Sequence, residues 1–337
     1  MREIGSEYSM QSCILGKNHY KNLINYPKRY VLSGRTGLFL IASELKSSGV
    51  STIALPAYCC SSMIEPFIKA DIKVSFYEKD EILDVEVILI MDYFGFLQAE
   101  TVELAKASAE KGLKVVVDAT QTAFSKSASY KYADYILVSY RKWFDCLCAA
   151  VYSKNGFATP EYTKENVEFR RIWRLAAKKK SEYLKNGLGD KQEFLELFST
   201  ANKILKDDYI GYCADRAEVE YFENVDSTWL RSRRRENAAT LLNDLSGKIN
   251  FMFTELCPED CPLFVPALLF NENRDKLRGT LIGKSIYCPC HWPINTGFPY
   301  QKTLFHEQEI SLICDQRYSP NTIKFEAEQV LKNIIDF

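Results

Sequence analysis

The stretch Val115 to Phe144 constrains this chain most. Val115-Val116-Val117 is a β-branched run that reads as a buried parallel strand, and it ends on Asp118. Tyr135-Ile136-Leu137-Val138 is a second such run, ending on Ser139-Tyr140-Arg141-Lys142. In open α/β sheets, ligands bind beyond the carboxyl ends of the strands. A carboxylate and a lysine, each just past a strand end, are therefore expected to face one crevice.

That pairing suits pyridoxal 5'-phosphate (PLP): a lysine forms the Schiff base, and a carboxylate keeps the pyridine nitrogen protonated. Arg141, adjacent to Lys142, favours a neutral lysine amine because a like charge lowers a lysine pKa. Trp143-Phe144 argues for a partly buried location. The plainer alternatives are a helix-capping aspartate and a pair of surface charges.

Upstream, Ser33-Gly34-Arg35-Thr36-Gly37 precedes an apolar helical pattern at Leu38, Leu40, Ile41 and Leu45. A glycine-bearing turn at a helix N-terminus offers free N–H groups and the positive end of a dipole, a natural phosphate site. Strand, helix and strand alternate through this half: Thr52 to Leu55, Ser61 to Ala70, Ile72 to Tyr77, Val87 to Met91, Thr101 to Lys111, then Leu113 to Val117. The alternation predicts a mainly parallel sheet with covering helices. Tyr162 to Asn224 reads as charged connecting helices, Arg231 to Leu245 as a long helix, and Ile323 to Ile335 as a closing one. Leu263 to Leu268 and Ser285 to Pro289 read as strands of a small α/β domain, and Leu312 to Tyr318 ends another.

The segments Asp118-Ala119-Thr120-Gln121 and Ser139-Tyr140-Arg141-Lys142 resemble the cofactor motifs of the DegT/StrS aminotransferases. These are fold-type I PLP enzymes that mostly aminate keto-sugar nucleotides. The chain departs from the family in places: Arg35 stands where a threonine is expected, and Cys146 to Ala150 replace a glycine pair. The resemblance implies an α/β fold whose large domain carries a mainly parallel seven-stranded sheet flanked by helices. That domain, with an N-terminal arm, is expected over residues 1–230 and a smaller C-terminal α/β domain over 231–337.

It also implies roles. Lys142 is the catalytic lysine, Asp118 the partner of the pyridine nitrogen, and Gln121 a contact to the ring oxygen. Ser139, Gly34, Arg35 and Thr36 are the phosphate contacts. The ring-stacking position falls on Tyr58 or Cys60, and Tyr58 is the candidate. Tyr93 and His291 are expected near the substrate, and Arg317 as the clamp for an amino donor's carboxylate.

The expected reaction moves an amino group from a donor such as glutamate to a nucleotide-linked keto-sugar, in a homodimer. The rivals are a PLP-dependent dehydratase or lyase and a non-catalytic sugar-nucleotide-binding or regulatory relative. Known dehydrating relatives replace the lysine, so Lys142 favours transamination.

Other classes find no support. The net charge of −1 gives no basic field for nucleic acid or an anionic membrane. No apolar run is long enough to span a bilayer, and polar residues interrupt Met1 to Asn25, unlike a signal peptide. Eleven cysteines without an export signal are expected to be free thiols in the cytoplasm, and their spacings do not suit zinc. Lys178-Lys179-Lys180 reads as a solvated helix face, and Arg233-Arg234-Arg235 as a solvated or salt-bridged one.

Overall fold

The computed structural model describes residues 3–10, 12–78, 84–270, 273–292 and 303–334. The strands are β1 (Ile4–Gly5), β2 (Lys28–Val31), β3 (Thr52–Pro56), β4 (Lys73–Tyr77), β5 (Val87–Ile90), β6 (Lys114–Asp118), β7 (Tyr135–Ser139), β8 (Ala149–Ser153), β9 (Asn250–Phe251), β10 (Val265–Leu268), β11 (Ile286–Tyr287) and β12 (Glu309–Leu312). The helices are α1 (Gly34–Ser47), α2 (Ser61–Lys69), α3 (Ala99–Glu110), α4 (Val167–Asn186), α5 (Lys191–Asp207), α6 (Arg216–Glu223), α7 (Ser227–Asp244), α8 (Asn273–Gly283), α9 (Phe305–Gln308) and α10 (Pro320–Ile334).

Seven strands form one sheet in the order β2-β8-β7-β6-β5-β3-β4. The run from β7 to β4 is parallel, and β8 is antiparallel to both its neighbours. Alternate residues of one strand feed different cores. Ile88, Ile90, Val115, Val117, Ile136 and Val138 pack with α3 and the Tyr20–Phe124 pair on one face. Val87, Leu89, Val116 and Leu137 pack with α1 and α2 on the other. Burial on both faces is why these strands read as unbroken apolar runs. β4, at the sheet edge, is the one with an exposed residue.

Two side units complete the chain. α4 and α5 form an antiparallel hairpin around Phe169, Trp173, Phe194 and Phe198. α4 starts at Asn166, whose side chain accepts the Phe169 N–H at 3.0 Å, and it ends at Gly187 in the left-handed conformation. The last core gathers α7, α8, α10 and the antiparallel sheet β12-β10-β9. Ile4 belongs to this core too, because β1 pairs in parallel with β11. The N-terminal arm is thus sewn into C-terminal structure.

Several elements differ from expectation at their ends. α7 begins at Ser227, four residues early, because Asp226 caps it through the Trp229 N–H. The strand expected over Ser285 to Pro289 is two residues long, and β12 ends at Leu312, leaving Ile313 to Tyr318 outside the ladder. α10 starts at Pro320, and Ile335, expected to close it, lies outside the described residues. Among the described residues no helix is long and apolar enough to cross a membrane.

Candidate active site

A cavity of about 760 Å³ opens beyond the carboxyl ends of β6 and β7. These strands are parallel neighbours in register, Asp118 opposite Leu137, so the residues that follow them emerge at one edge. Asp118 is buried, and its Oδ1 accepts the Thr120 N–H at 2.8 Å. Burial pushes its pKa up, while the Thr120 hydrogen bonds and the Lys142 charge act against that rise.

Lys142 ends a short 3-10 turn, Tyr140–Lys142, held by two buried aromatic anchors. The Tyr140 ring stacks on Phe222 at 3.6 Å, and Trp143 donates its indole N–H to the Thr120 carbonyl at 2.8 Å. The lysine side chain runs into the cavity, where its amine has no hydrogen-bond partner among the described residues. Lys142 is exposed at the cavity, and the groups packed around its amine lower its pKa, first by desolvation and then through Arg141.

Gly34, Arg35 and Ser139 form the next wall. Ser33 caps α1 by accepting the Thr36 N–H at 3.2 Å. The first N–H groups of the helix have no intrahelical acceptor. Gly37 lets α1 lie against β7: a Cβ there would come 2.4 Å from Leu137 Cδ1. Gly34 sits against Ser139, where a Cβ would come 3.2 Å from Ser139 Cβ. Arg35 lines the cavity, with its guanidinium turned toward the Lys206 carbonyl (3.3 Å) and Glu65 (3.5 Å). Thr36 does not reach the cavity lining. It is fully buried, and its hydroxyl donates to the Tyr209 carbonyl at 2.9 Å.

Gln121 lines the cavity with its carbonyl oxygen engaged by the Phe94 N–H at 2.5 Å, leaving its NH₂ end to donate. Of the two ring-cover positions, Cys60 lines the cavity and Tyr58 does not. Tyr58 points into an aromatic cluster, with ring centroids 5.4 Å from Tyr93 and 5.0 Å from Trp292, and donates to the His291 carbonyl. Tyr93 is also outside the lining, its hydroxyl bonded to the Tyr58 carbonyl at 2.8 Å. His291 is in the lining, its Nδ1 2.9 Å from Ser311 Oγ. Arg317 lines the cavity as well, but Asp315 takes its Nε at 3.0 Å and a terminal nitrogen at 2.7 Å. Its other contacts are the Ser6 and Glu7 carbonyls.

Sequence reasoning missed one whole wall. Gly5, Ser6, Glu7 and Tyr8 of the arm line the cavity, together with a stripe of α5 comprising Lys191, Leu195, Asn202 and Lys206. Lys180, expected on a solvated face, is fully buried and bridges Glu3 at 2.6 Å. Arg234, expected on a solvated or salt-bridged face, is fully buried too. It donates to Gln316 (2.7 Å), the Leu263 carbonyl (3.0 Å) and Tyr8 (2.8 Å). Tyr8 in turn donates to the Lys142 carbonyl at 3.4 Å.

No protein-family model matches the sequence, and no curated protein matches it. Solved structures do match the fold. One is PseC of Helicobacter pylori, an aminotransferase involved in the biosynthesis of pseudoaminic acid. It is 14% identical with a TM-score of 0.67, over 99% of this chain and 94% of that one. The chain has the sugar-aminotransferase fold. The PLP-form of Spr1654 from Streptococcus pneumoniae, described as a sugar aminotransferase, is 12% identical with a TM-score of 0.65 over 99% of both chains. CalS13, a sugar aminotransferase of Micromonospora echinospora, is 12% identical with a TM-score of 0.61, over 98% of this chain and 99% of that one. In this fold the mainly parallel seven-stranded sheet of the large unit carries Asp118 and the Lys142 turn at one edge.

Proposed function

We propose that the protein is a PLP-dependent aminotransferase that moves an amino group from an amino acid such as glutamate to a nucleotide-linked keto-sugar. One observation carries this reading: an unpartnered lysine amine of lowered pKa shares a cavity with a buried carboxylate and a glycine-cradled helix N-terminus. The PLP-form and PMP-form of Spr1654, which share this fold, support it.

The residues fit the cofactor. The Gly34 and Arg35 N–H groups and the Ser139 hydroxyl would hold the phosphate, in a cradle that a Cβ at Gly34 would begin to fill. Asp118 would hold the proton on the pyridine nitrogen, and a cation there favours the carboxylate that burial disfavours. Gln121 would donate from its free NH₂ end to the ring oxygen. When bound, PLP supplies the carbonyl for covalent attachment and the electron sink for the donor's α-carbon electrons.

Lys142 does the rest. Its lowered pKa makes more neutral amine available at a given pH, so Nζ can act as nucleophile. Nζ would take a proton from the donor's α-carbon in one half-reaction and return one to the acceptor carbon in the other. Trp143 and Tyr140 fix the turn from which it reaches. Two apolar side chains at the cavity, Leu195 and Ile282, are more than a third exposed, which supports a homodimer that covers them.

The test is the visible spectrum of the protein with PLP, for wild type and Lys142→Ala, before and after borohydride. The wild type is expected to give a band that reduction fixes to Lys142 and that glutamate bleaches; the variant gives none. Absence of a reducible band in folded wild type overturns the reading.

A further inference from the structure

The cavity lining is strongly cationic, with Arg35, Arg141, Lys142, Lys191, Lys206, Arg278 and Arg317 against three carboxylates. Two of the three are committed. Asp118 is buried and bonded to Thr120, and Asp315 is chelated by Arg317. The third, Glu7, is exposed to the cavity, and its side chain makes no hydrogen bond or ion pair among the described residues. It lies within electrostatic reach of both Lys142 and Arg141.

Its backbone, in contrast, is clamped from several sides. Lys180 donates to the Glu7 carbonyl at 2.5 Å and to Ser6 Oγ at 3.1 Å. Arg317 donates to the Glu7 and Ser6 carbonyls at 3.3 and 3.2 Å. The Gly5 N–H donates to the Tyr318 hydroxyl at 2.8 Å. Gly5 has φ +84°, and a Cβ there would come 2.5 Å from the Tyr287 carbonyl oxygen. So much fixed structure holds up a bare acceptor beside the reactive lysine. Glu7 thus presents an exposed carboxylate from a fixed backbone, placed to take hydrogen bonds from a ligand in the cavity.

We propose that Glu7 is a substrate-recognition residue whose carboxylate accepts hydrogen bonds from hydroxyls neighbouring the reacting carbonyl of the acceptor. The inference rests on the aminotransferase reading and names what that site selects. A carboxylate has two oxygens and suits a vicinal diol. It is the sole uncommitted carboxylate among the described lining residues, and the cations around it cannot accept. A site built around a hydrogen bond to substrate discriminates sharply against the analogue lacking that group.

The experiment measures calorimetric binding of UDP- and dTDP-linked 4-keto-6-deoxyhexoses, and of their 3-deoxy analogues, to wild type and Glu7→Gln. The spectral half-reaction with glutamate is followed on the same samples. Wild type is expected to prefer the hydroxylated ligand by roughly 10- to 100-fold, the worth of one hydrogen bond to a charged acceptor. Glu7→Gln is expected to lose most of that preference while its thermal melting point stays that of the wild type, which reports an intact fold. Retention of the preference by Glu7→Gln, or none in the wild type, overturns the proposal. Failure of the glutamate half-reaction in the wild type is the separate result that sinks the aminotransferase reading itself.

Discussion

Alanine at Gly34 and at Gly37 should separate cofactor binding from stability within one helix turn. At Gly34 the new Cβ would lie 3.2 Å from Ser139 Cβ, a contact relieved by a shift of a few tenths of an ångström. Against that small strain stands the helix preference of alanine over glycine, about 0.5–1 kcal/mol. Net stability should therefore stay within about 1 kcal/mol of wild type. The same methyl, however, sits where the cofactor phosphate would meet the helix N-terminus and Ser139. Loss of one charge-assisted hydrogen bond there, about 1.5–3 kcal/mol, weakens PLP binding by about 10- to 100-fold. At Gly37 the Cβ would lie 2.4 Å from Leu137 Cδ1 and 3.0 Å from Val151 Cγ2, inside packed core. Overpacking of that kind costs about 1–3 kcal/mol. Absorbance titration with PLP and thermal melting of the apo form read the two effects. Gly34→Ala should lose affinity and keep its Tm, and Gly37→Ala should lose Tm. A Gly34→Ala protein that binds PLP as wild type does would show that the phosphate is not held at α1.

Two further outcomes follow from the supports of the site. Trp143→Phe deprives the Thr120 carbonyl of its 2.8 Å donor, which should cost about 1–3 kcal/mol in urea melts and weaken PLP binding as the Lys142 turn loosens. Glu3 is pushed up by burial, but Lys180 and Lys191, at 2.6 and 3.1 Å, outweigh this and hold it below 4.5. A depressed carboxylate contributes stability that is present above its unfolded pKa and lost as pH falls below it. Glu3→Gln should flatten that acid limb below about pH 4.5 and, by removing the carboxylate partner of buried Lys180, cost about 3–5 kcal/mol at pH 7. An unchanged acid limb would refute the assignment.

The sheet was legible because its strands are buried on both faces, and Val115-Val116-Val117 and Tyr135-Ile136-Leu137-Val138 carry that burial in their composition. Asp118 and Lys142 were legible because each follows such a run, and parallel pairing of the strands brings their ends together. What failed was direction. Nothing local distinguishes Tyr58 from Cys60 as the cavity-facing residue, since the Tyr93, Trp292 and His306 rings that draw Tyr58 away lie 35 to more than 230 residues along the chain. Thr36 was lost to a carbonyl on the distant Tyr209. Lys180 read as solvated and Arg234 as solvated or salt-bridged because runs of like charge usually are, whereas Glu3 and the Gln316 and Leu263 partners bury them. The arm had no periodicity to betray its place, because backbone hydrogen bonds and side-chain clamps hold it.

The pairing of β1 with β11 has a consequence for synthesis on the ribosome. The Gly5 N–H waits for a hydroxyl 313 residues downstream, and Ile4 waits for Ile286. The strands that lead to Asp118 and Lys142 can pair within the first half of the nascent chain, and Phe222, which anchors the lysine's turn, follows well before the last strands. The wall that carries Glu7 cannot close so early, since its clamps Lys180 and Arg317 emerge far later. Such long-range closure is the slow part of folding. A chain stalled before its last strands would display the lysine and carboxylate without the surface that selects what reaches them.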